Sequence, residues 1–595
     1  MIDYQAPLRD MQFILGELAG LDAVAALPDC EEASSDLVNA ILEEAGKFAS
    51  GVLAPLNRRG DQEGCRLEGE RVVLPQGWQA AYDQFREAGW LGLSLPEAFG
   101  GQGLPKLVST PVWEMWFSSN MAFTMLPQLN VAQAEALLFA ASEAQKATWL
   151  EKIVSGEWAA TMNLTEPQAG SDLAATRMRA EPDEHGNYRL HGQKIYISYG
   201  EHELTPNILH LVLARLPDAP EGVKGLSLFL VPKYLLDERG EPGEKNDVRC
   251  ISIEHKMGIH GSPTCTLSYG DHDGAIGQLI GEPHTGLKTM FIMMNEARFG
   301  VGVQGLALGE RAYQAALDHA RERVQGRNVV SGEMGLPILH HPDVKRMLVG
   351  MRARLLAMRT FLYTAAGWFD LARHHPDAEV ADKHRRHVDL LMPVAKGWCS
   401  ELGNALCDEA IQVFGGMGFV EETGVAQLFR DARIITIYEG TTGIQANDLL
   451  GRKILHDNGA TLRELLDDIR TCARSVGEDA RLGDLAESLN ELVYGLAATT
   501  DWLLAQGEEQ TAELYGGAVP LLHQLGIVCG GWQLARAAEA AQRRHDAGEG
   551  DADHLVGIIE LARFYMASVA PEADSHARAV RHGGRVLARI PEAGF

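Results

Sequence analysis

The chain has 595 residues, of which 46% are hydrophobic and 23% are charged, a balance typical of globular proteins. At about 150 residues per domain, this length predicts three or four domains. The net charge of −28 at pH 7 argues against a nucleic-acid partner, because phosphate binding needs a basic surface. The eight cysteines form no C-x-x-C pair, which argues against a zinc site or a disulfide framework and favours a reducing compartment.

Residues 1–158 are predicted to form a helical domain. DLVNAILEEAGKFASGVLAPLNRRGD and GWQAAYDQFREAGW both carry apolar residues at the i, i+3, i+4 spacing of an amphipathic helix. The N-terminus has no basic segment followed by an apolar one, so we expect no secretory signal. The sequence contains no uninterrupted run of about 18 apolar residues, so we expect no membrane span. The predicted location is therefore the cytoplasm.

Residues 159–281 are predicted to form a compact antiparallel β domain. NYRLHGQKIYIS, NILHLVLARL and GLSLFLVPKYL are short β-branched or alternating runs, separated by stretches rich in Gly, Pro and Asp. Helical periodicity returns in residues 282–451 and continues through an alanine-rich extension, residues 452–595. The predicted fold class is α+β multidomain: an N-terminal helical domain, a central antiparallel β domain, a C-terminal helical bundle and a helical extension.

A G-x-G-x-x-G pattern at Gly300, Gly302 and Gly305 matches the spacing of a dinucleotide-binding loop. That loop follows a strand in a βαβ unit, whereas the preceding LKTMFIMMNEARF has helical periodicity. We therefore predict that these glycines allow close helix–helix contact. The histidine pairs His340–His341, His374–His375 and His384/His387 lack both an H-E-x-x-H setting and cysteine partners, so no metal site is predicted.

Three further motifs carry candidate chemistry. TMNLTEPQAGSD, at residues 161–172, offers hydroxyls and a glycine-containing turn that suit a phosphate or a polar ring edge, although a plain strand-entry turn has the same composition. QVFGGMGF, from Gln412, breaks a long helix and permits close approach of a ligand or a subunit. In RDARIITIYEGTTGIQ, Glu439 stands among isoleucines, where desolvation raises the pKa of a carboxylate and suits it to act as a general base. An ordinary ion-paired glutamate is the alternative.

Together and in this order, these motifs and the helical–β–helical layout resemble the acyl-CoA dehydrogenase family. Its members are FAD-dependent enzymes that form a trans-2 double bond in acyl-CoA thioesters. The resemblance covers residues 35–450. YQAPLRDMQFIL, HKMGIHGSPTC and the helical tail resemble a larger bacterial subgroup, which includes 3-methylmercaptopropionyl-CoA and long-chain fatty-acyl-CoA dehydrogenases.

The resemblance assigns roles to residues of this chain. It implies that Glu439 removes the α-proton, that its backbone N–H and a ribityl hydroxyl of FAD hold the thioester carbonyl, and that Gly440 leaves room for the thioester. The substrate-binding residues it implies are Ser171, Asn295, Arg298, Tyr438, Gly440 and Arg452. The FAD-binding residues it implies are Met162, Leu164, Thr165, Gly170, Ser171, Tyr196, Ile197, Ser198, Arg323, Gln325, Gln412, Gly415, Gly416 and Thr441.

A homodimer is predicted, because Arg323, Gln325 and the Gln412–Gly416 segment would reach the FAD of a neighbouring subunit. An insertion in RVQGRNVVSGEMGLP, after Arg323, departs from the family pattern at this point. The resemblance also implies a role in fatty-acid β-oxidation with an electron-transferring flavoprotein as the electron acceptor.

The substrate is expected to be a medium-to-long acyl chain, with 3-methylmercaptopropionyl-CoA as the alternative. Met121 and Met125, among the helices before the β domain, suit an adaptable acyl cavity, although methionine at helical spacing is also plain core. An acyl-CoA oxidase, which passes electrons to O2, is a further alternative. A non-catalytic acyl-CoA-binding or scaffold protein is the alternative from a different class.

Overall fold

The computed structural model describes residues 3–587 and 589–595 and contains long helices and one eight-stranded sheet. The chain divides into two units. The first unit comprises Met1–Gly46, Pro105–Ser118 and Val301–Phe595, and the second comprises Lys47–Leu104 and Ser119–Gly300. The predicted succession of helices, β domain, helices and helical extension is confirmed.

The α-helices of the described residues are α1 (Leu8–Glu17), α2 (Leu21–Ala25), α3 (Ser35–Phe48), α4 (Ala54–Glu63), α5 (Trp78–Glu87), α6 (Lys106–Ala140), α7 (Glu143–Val154), α8 (Gly286–Glu322), α9 (Pro342–His374), α10 (Ala378–Phe414), α11 (Val425–Ala432), α12 (Thr442–Asp448), α13 (Ala460–Val476), α14 (Gly483–Leu504), α15 (Thr511–Gly516), α16 (Ala518–Ala547), α17 (Ala552–Ser568) and α18 (Glu572–Leu587). Some of these helices begin at a residue whose side chain caps them. Ser142 and Gln145, for example, form a reciprocal capping box that starts α7.

The strands are β1 (Arg66–Glu68), β2 (Arg71–Val73), β3 (Ala159–Asn163), β4 (Arg179–Pro182), β5 (Tyr188–Ser198), β6 (Ile208–Arg215), β7 (Leu226–Pro232), β8 (Tyr234–Leu236), β9 (Pro242–Lys245), β10 (Val248–Ile253), β11 (Thr264–Tyr269) and β12 (Ala275–Ile280). The large sheet has the order β10-β11-β5-β12-β7-β6-β3, and β4 pairs with β5 and β6. β1 with β2 and β8 with β9 form two small antiparallel ribbons.

Two details of the β structure differ from the expectation. β3 runs parallel to β6, and β4 touches β6 in the parallel sense, while the other ladders are antiparallel. β3 enters the sheet directly after α7 rather than from a hairpin, so no turn forces it to be antiparallel. The β1–β2 hairpin lies in the region predicted as helical, where Gly69 takes φ +68° at the turn of LEGERVV.

In the first unit, helices α8 and α10 approach each other where glycine removes the side chains. A Cβ on Gly302 would lie 2.5 Å from the carbonyl oxygen of Ala395, and one on Gly305 would lie 2.3 Å from that of Cys399. Real side chains do not tolerate such distances. The prediction that these glycines serve helix–helix contact, and not a dinucleotide, is confirmed by their place inside α8.

A buried cluster of charges also lies in the first unit. Arg359 of α9 is fully buried, and its Nη2 donates to Oε1 of Glu114 at 2.6 Å and to Oε2 of Glu310 at 2.8 Å. Asp10 of α1 lies 3.5 Å from Arg359 Nη1 and also accepts a hydrogen bond from His554 of α17 at 2.9 Å. The first helix and the C-terminal extension therefore bind to the same charged core.

In the part of the chain that the structure describes, no helix combines the length and the apolar composition that crossing a membrane requires.

Candidate active site

The predicted base lies in a tight turn of the first unit. A 3-10 turn, Arg433–Thr436, precedes it, and α12 begins at Thr442. Glu439 takes φ +56° and Gly440 takes φ +88°, so two consecutive residues are left-handed. That conformation costs a residue with a side chain roughly 1–2 kcal/mol. The surroundings must therefore hold Glu439 in place, as is common at functional sites.

Gln445 of α12 supplies part of that hold. Its Nε2 donates to the carbonyl oxygen of Glu439 at 3.0 Å and to that of Gly440 at 3.5 Å. A Cβ on Gly440 would lie 2.8 Å from the same nitrogen, so a side chain at this position would displace the Gln445 amide as well as strain the backbone. Gln445 was not among the predicted site residues. The signal that could have identified it is its place at the end of TTGIQ, six residues after Glu439.

Tyr438 lies beside the predicted base and is anchored through its hydroxyl, which donates to Oε1 of the buried Gln304 at 2.5 Å. Burial, with the Glu439 carboxylate next to it, raises the pKa of Tyr438 well above its ordinary value. Glu439 itself is half-buried. Ile435 is buried and Ile437 is exposed, so the isoleucine run that the sequence places around Glu439 is divided between core and surface.

Two further predicted ligand residues follow along the chain. The Thr441 hydroxyl accepts a hydrogen bond from the backbone N–H of Ile444 at 3.3 Å and so caps α12. Arg452 is exposed, and its Nε lies 2.5 Å from Oδ1 of Asp448, one helical turn away. Arg452 would have to share or leave this carboxylate to bind CoA.

In the second unit, the predicted flavin loop follows β3 and is held from beneath by an ion pair. Lys194 of β5 donates to Oε1 of Glu166 at 2.9 Å and to the carbonyl oxygen of Leu164 at 2.8 Å. Glu166 also accepts from the backbone N–H groups of Arg177 at 2.8 Å and Met178 at 3.1 Å. These bonds tie both ends of the loop to the sheet. Glu166 is part of the TEP motif, but its buried partner 28 residues away was not predicted.

The charges of this pair balance each other. Burial lowers the pKa of Lys194 to about 8 against the pull of Glu166. Burial opposes the ionised form of Glu166, but the Lys194 ammonium and the two backbone N–H groups hold its pKa below the ordinary value. Both groups are therefore charged at neutral pH, and the loop keeps a salt bridge within its base.

The predicted flavin residues of this loop are placed at its surface. Met162, Leu164 and Thr165 are half-buried, and Gly170 and Ser171 are exposed. The carbonyl oxygen of Thr165 accepts from the N–H of Ile195 in β5 at 2.9 Å. The structure therefore brings the loop next to the YIS segment of β5.

Tyr196 of that segment sits at a β-bulge. Ile197 pairs with Cys265 and Lys194 pairs with Leu267, so two residues of β5 oppose one of β11. Tyr196 takes φ +61° there, and its side chain is 61% exposed. Ser198 is half-buried, while the Ile197 side chain packs in the core of the sheet, so only its backbone can face a ligand. The bulge therefore presents the exposed Tyr196 ring at the edge of the β5–β11 pairing.

Asn295 and Arg298, predicted to meet CoA, share one face of α8. Nη1 of Arg298 lies 3.4 Å from Oδ1 of Asn295, and its guanidinium lies 5.9 Å from the ring centre of Phe291. Arg298 is buried and Asn295 is exposed. Met121 and Met125 are buried in the same unit, just after Asn120 interrupts α6 with φ −156° and ψ 90°.

The residues predicted to reach a neighbouring FAD lie together at the C-terminal ends of α8 and α10. His319 and Phe414 stack there with ring centres 4.1 Å apart. We name residues 323–338 and 412–420 the α8–α10 end. Bonds from Ile338 N–H to the carbonyl oxygen of Arg323 at 2.7 Å and from His341 Nε2 to that of Gln325 at 2.9 Å close the first segment into a hairpin.

Both segments of the α8–α10 end are exposed. Arg323, Gln325, Gln412, Gly415 and Gly416 are all on the surface, and neither glycine has a neighbour within 4 Å of an added Cβ. Large apolar side chains are exposed with them: Val329, Val330 and Met334 at the hairpin, and Phe419, which is 90% exposed, after α10. Within the described residues, no cluster of three or more His, Cys, Asp and Glu side chains is arranged to hold a metal ion.

Family models match four consecutive parts of the chain. The acyl-CoA dehydrogenase N-terminal domain matches residues 35–157, the middle domain matches 161–272 and the C-terminal domain matches 284–454. A model described as acetyl-CoA dehydrogenase C-terminal like matches residues 465–591 of the extension.

Relatives match over the whole length. A 3-methylmercaptopropionyl-CoA dehydrogenase of Ruegeria pomeroyi is 46% identical over 98% of this chain and 99% of its own. The broad-specificity linear acyl-CoA dehydrogenase FadE5 of Mycobacterium tuberculosis is 35% identical over 100% of both chains. Among solved structures, Caenorhabditis elegans ACDH-11 in complex with C11-CoA has a TM-score of 0.77 at 21% identity, over 95% of this chain and 91% of its own. The chain therefore belongs to the acyl-CoA dehydrogenase family, which confirms the predicted enzyme class and the FAD cofactor.

Proposed function

We propose that this protein dehydrogenates acyl-CoA thioesters between Cα and Cβ, with Glu439 as the base that removes the α-proton. The observation that carries this proposal is the turn at Glu439. A half-buried carboxylate stands there on a left-handed backbone that Gln445 holds from inside the molecule. A base fixed in this way needs little reorganisation to meet a bound substrate, which is a large part of its advantage over a carboxylate in water.

The residues of the second unit fit FAD. Thr165 and Ser171 offer hydroxyls at the surface of a loop that Lys194 and Glu166 fix to the sheet. Tyr196 offers an exposed aromatic face on a rigid bulge next to that loop. When bound, FAD supplies the acceptor for the hydride that leaves Cβ. The protein binds and orients the ring through Met162, Leu164, Thr165, Gly170, Ser171, Tyr196, Ile197 and Ser198 of this unit. Thr441, which belongs to the first unit, is a further proposed contact of FAD.

Substrate binding is assigned to groups around the base and on α8. The backbone N–H of Glu439 donates to the thioester carbonyl and favours the negative charge that develops there as the α-proton leaves. Arg298 and Asn295 bind the CoA moiety, with Ser171 and Arg452 as further contacts. Tyr438, whose hydroxyl is bonded to Gln304, offers its ring to the acyl chain.

We propose 3-methylmercaptopropionyl-CoA as the first candidate substrate, since the relative with 46% identity over nearly the whole chain is named for it. Straight acyl chains, including the medium-to-long ones expected from the sequence, are the second candidate. They are favoured by the name of the broad-specificity relative with 35% identity. The enzyme is assigned to the cytoplasm and to acyl-CoA oxidation, with an electron-transferring flavoprotein as its electron acceptor.

Anaerobic bleaching of the bound flavin tests this function. We expect a yellow protein that is bleached by 3-methylmercaptopropionyl-CoA, with kcat/KM about tenfold above that for pentanoyl-CoA, the matched thioester in which a methylene replaces sulfur. A panel from butyryl- to palmitoyl-CoA measures the second candidate. Specificity that rises steadily to palmitoyl-CoA, at ~0.8 kcal/mol per buried methylene, would replace the first candidate with the second.

Two results of the same experiment would remove the proposal itself. One is a colourless protein that does not take up added FAD. The other is a flavin that no acyl-CoA in the panel bleaches. Production of H2O2 at the speed of turnover in air would instead convert the assignment to an acyl-CoA oxidase.

We further propose a homodimer in which the α8–α10 end meets the partner. Its exposed Phe419, Val329 and Val330 are a surface that a lone soluble chain rarely leaves bare. Arg323, Gln325, Gln412, Gly415 and Gly416, on the same surface, would complete the partner's FAD site.

The double variant Val330→Glu/Phe419→Glu tests the dimer. Two carboxylates in an apolar contact are expected to raise the dimer dissociation constant at least about 30-fold, which corresponds to the loss of a hot spot of 2 kcal/mol. FAD occupancy should fall with it. Sedimentation measures the first effect and flavin absorbance measures the second. Tyr494→Glu, at an exposed aromatic of α14, is the control and should change neither. A wild-type monomer that is fully loaded with FAD and active at sub-micromolar concentration would refute the proposal.

A further inference from the structure

Gln445 bonds to the turn that carries Glu439 and not to its own helix. Its backbone N–H already donates to the carbonyl oxygen of Thr441 at 3.0 Å, as the first turn of α12 requires. Its side-chain Nε2 adds the bonds of 3.0 Å and 3.5 Å to the carbonyl oxygens of Glu439 and Gly440. The side chain is completely buried, and among the described residues its Oε1 has no hydrogen-bond partner. An amide is thus buried with only its nitrogen satisfied, and both bonds of that nitrogen go to the turn.

These two carbonyl groups belong to the peptide planes on either side of Gly440. Two left-handed residues in sequence have no helical or strand bonds to fix those planes. One amide that binds both oxygens sets their orientation together. The Cα–Cβ bond of Glu439 is attached to the first of these planes, so the direction of its carboxylate depends on the same bonds.

Helix α16 of the C-terminal extension packs against α12, the helix that carries Gln445. A Cβ on Gly397 of α10 would lie 2.9 Å from Cδ1 of Leu522 in α16 and 3.5 Å from Cβ of Gln445. Leu522 and Cβ of Gln445 therefore both lie beside the same bare glycine. Further along, a Cβ on Gly451 would lie 2.4 Å from the hydroxyl of Tyr515 in α15. The segment after the base is thus packed against two helices of the extension.

We propose that Gln445 is a positioning residue that fixes the backbone of Glu439, and that Leu522 of the C-terminal extension holds Gln445 in place. The inference rests on the proposed function, in which Glu439 is the base. This inference gives the extension a role within its own subunit, namely to support the turn that carries Glu439. Glu439 remains the group that touches substrate, and Gln445 acts through it.

The primary variants are Gln445→Met and Gln445→Glu. Methionine keeps the length of the side chain and removes the hydrogen-bond donor. We expect kcat to fall about 10- to 100-fold, because a small displacement of a base has such an effect. KM and FAD content should change less than threefold. Glutamate should behave like methionine at neutral pH and recover part of the activity as the pH falls, since only its protonated form carries an O–H, which can donate to one of the two carbonyl oxygens. A merely structural role would give no such pH profile.

A second measurement does not depend on turnover. Backbone amide hydrogen exchange of residues 437–442 should become about tenfold faster in Gln445→Met and in Leu522→Ala, with or without FAD, because the turn opens more often. Asn447→Met and Asn447→Glu, at an exposed position of α12, are the matched controls and should leave both exchange and pH profile unchanged.

The outcomes separate the two proposals. If Glu439→Gln retains turnover, the proposed function fails, and the exchange measurement alone decides the role of Gln445. If Glu439→Gln is inactive and Gln445→Met keeps wild-type kcat and exchange, the positioning role is refuted. If Gln445→Met does not fold, the pH profile of Gln445→Glu decides. Normal exchange and kcat in Leu522→Ala would refute the part assigned to the extension.

Discussion

Glu439→Gln is expected to bind FAD as the wild type does and to lose acyl-CoA-dependent bleaching of the flavin by about 10²- to 10⁴-fold, the range typical for removal of a general base. Glutamine keeps the shape of the side chain and its place in the turn, so the Gln445 bonds to the backbone carbonyl oxygens should survive. The proton acceptor is what disappears. Stopped-flow absorbance of the bound flavin under anaerobic conditions measures the loss.

The control for this variant is Glu491→Gln, which makes the same chemical change at an exposed position of α14. It should leave the bleaching rate within twofold of the wild type. A Glu439→Gln enzyme with near-normal bleaching would place the base elsewhere in the chain. A variant that loses FAD as well would show that Glu439 supports the cofactor site, and the rate alone would then say nothing of proton removal.

Arg359→Met is expected to destabilise the first unit by about 3–5 kcal/mol, because it strips the counter-charge from carboxylates that stay buried. Glu114 and Glu310 would lose bonds of 2.6 Å and 2.8 Å, and Asp10 would lose a neighbour at 3.5 Å. The hydroxyl of Tyr363, 2.6 Å from Oε2 of Glu114, would remain as a neutral donor. Chemical unfolding followed by fluorescence measures the change.

The loss should depend on pH in a defined direction. Burial already raises the pKa of Glu114 above its ordinary value, against the pull of Arg359. Without the arginine, the folded-state pKa rises further, so the folded protein binds a proton that the unfolded chain releases at neutral pH. Stability of the variant should therefore fall as the pH rises above the ordinary carboxylate range, and recover on acidification towards it.

Arg346→Met is the control for this prediction, since Arg346 lies on the same helix in an exposed pair, 2.9 Å from Asp343. Exposed pairs contribute about 0–1 kcal/mol. A destabilisation by Arg359→Met no larger than that of Arg346→Met, or one that does not vary with pH, would mean that water or relaxation compensates the buried carboxylates.

The sequence was sufficient to predict the features that depend on residues close together in the chain. Helical and alternating periodicity predicted the succession of helical and β regions, apart from the β1–β2 hairpin. The helical periodicity on both sides of Gly302 and Gly305 predicted their role in α8 correctly. The TEP and IYEGT motifs identified the loop after β3 and the turn before α12. The assignment of roles to their residues came from the family resemblance and stays a set of predictions.

What could not be predicted depends on pairs that are distant in sequence. Glu114 and Arg359 are 245 positions apart, and nothing near either residue reveals the other. In the sequence, Lys194 looks like an ordinary polar residue of a strand. Its ion pair with Glu166 forms only because the loop folds over the strand, and no local pattern predicts it. Gln445 lies close to Glu439 in sequence. Its role, however, follows from the left-handed backbone of Glu439 and Gly440, which the sequence alone did not predict. The parallel pairing of β3 with β6 has no local signal either.

The interleaved order of the two units has a consequence for synthesis on the ribosome. Lys47–Leu104 and Ser119–Gly300, which form the second unit, have all emerged before the larger part of the first unit is made. Residues 301–595 then take ~15–60 s to add at about 5–20 residues per second. During that time, some residues that contact the first helix have not yet been synthesised. One of them is His554, whose ring bonds to Asp10. We therefore expect α1 to lack its contacts with α9, α16 and α17 until those helices have been synthesised.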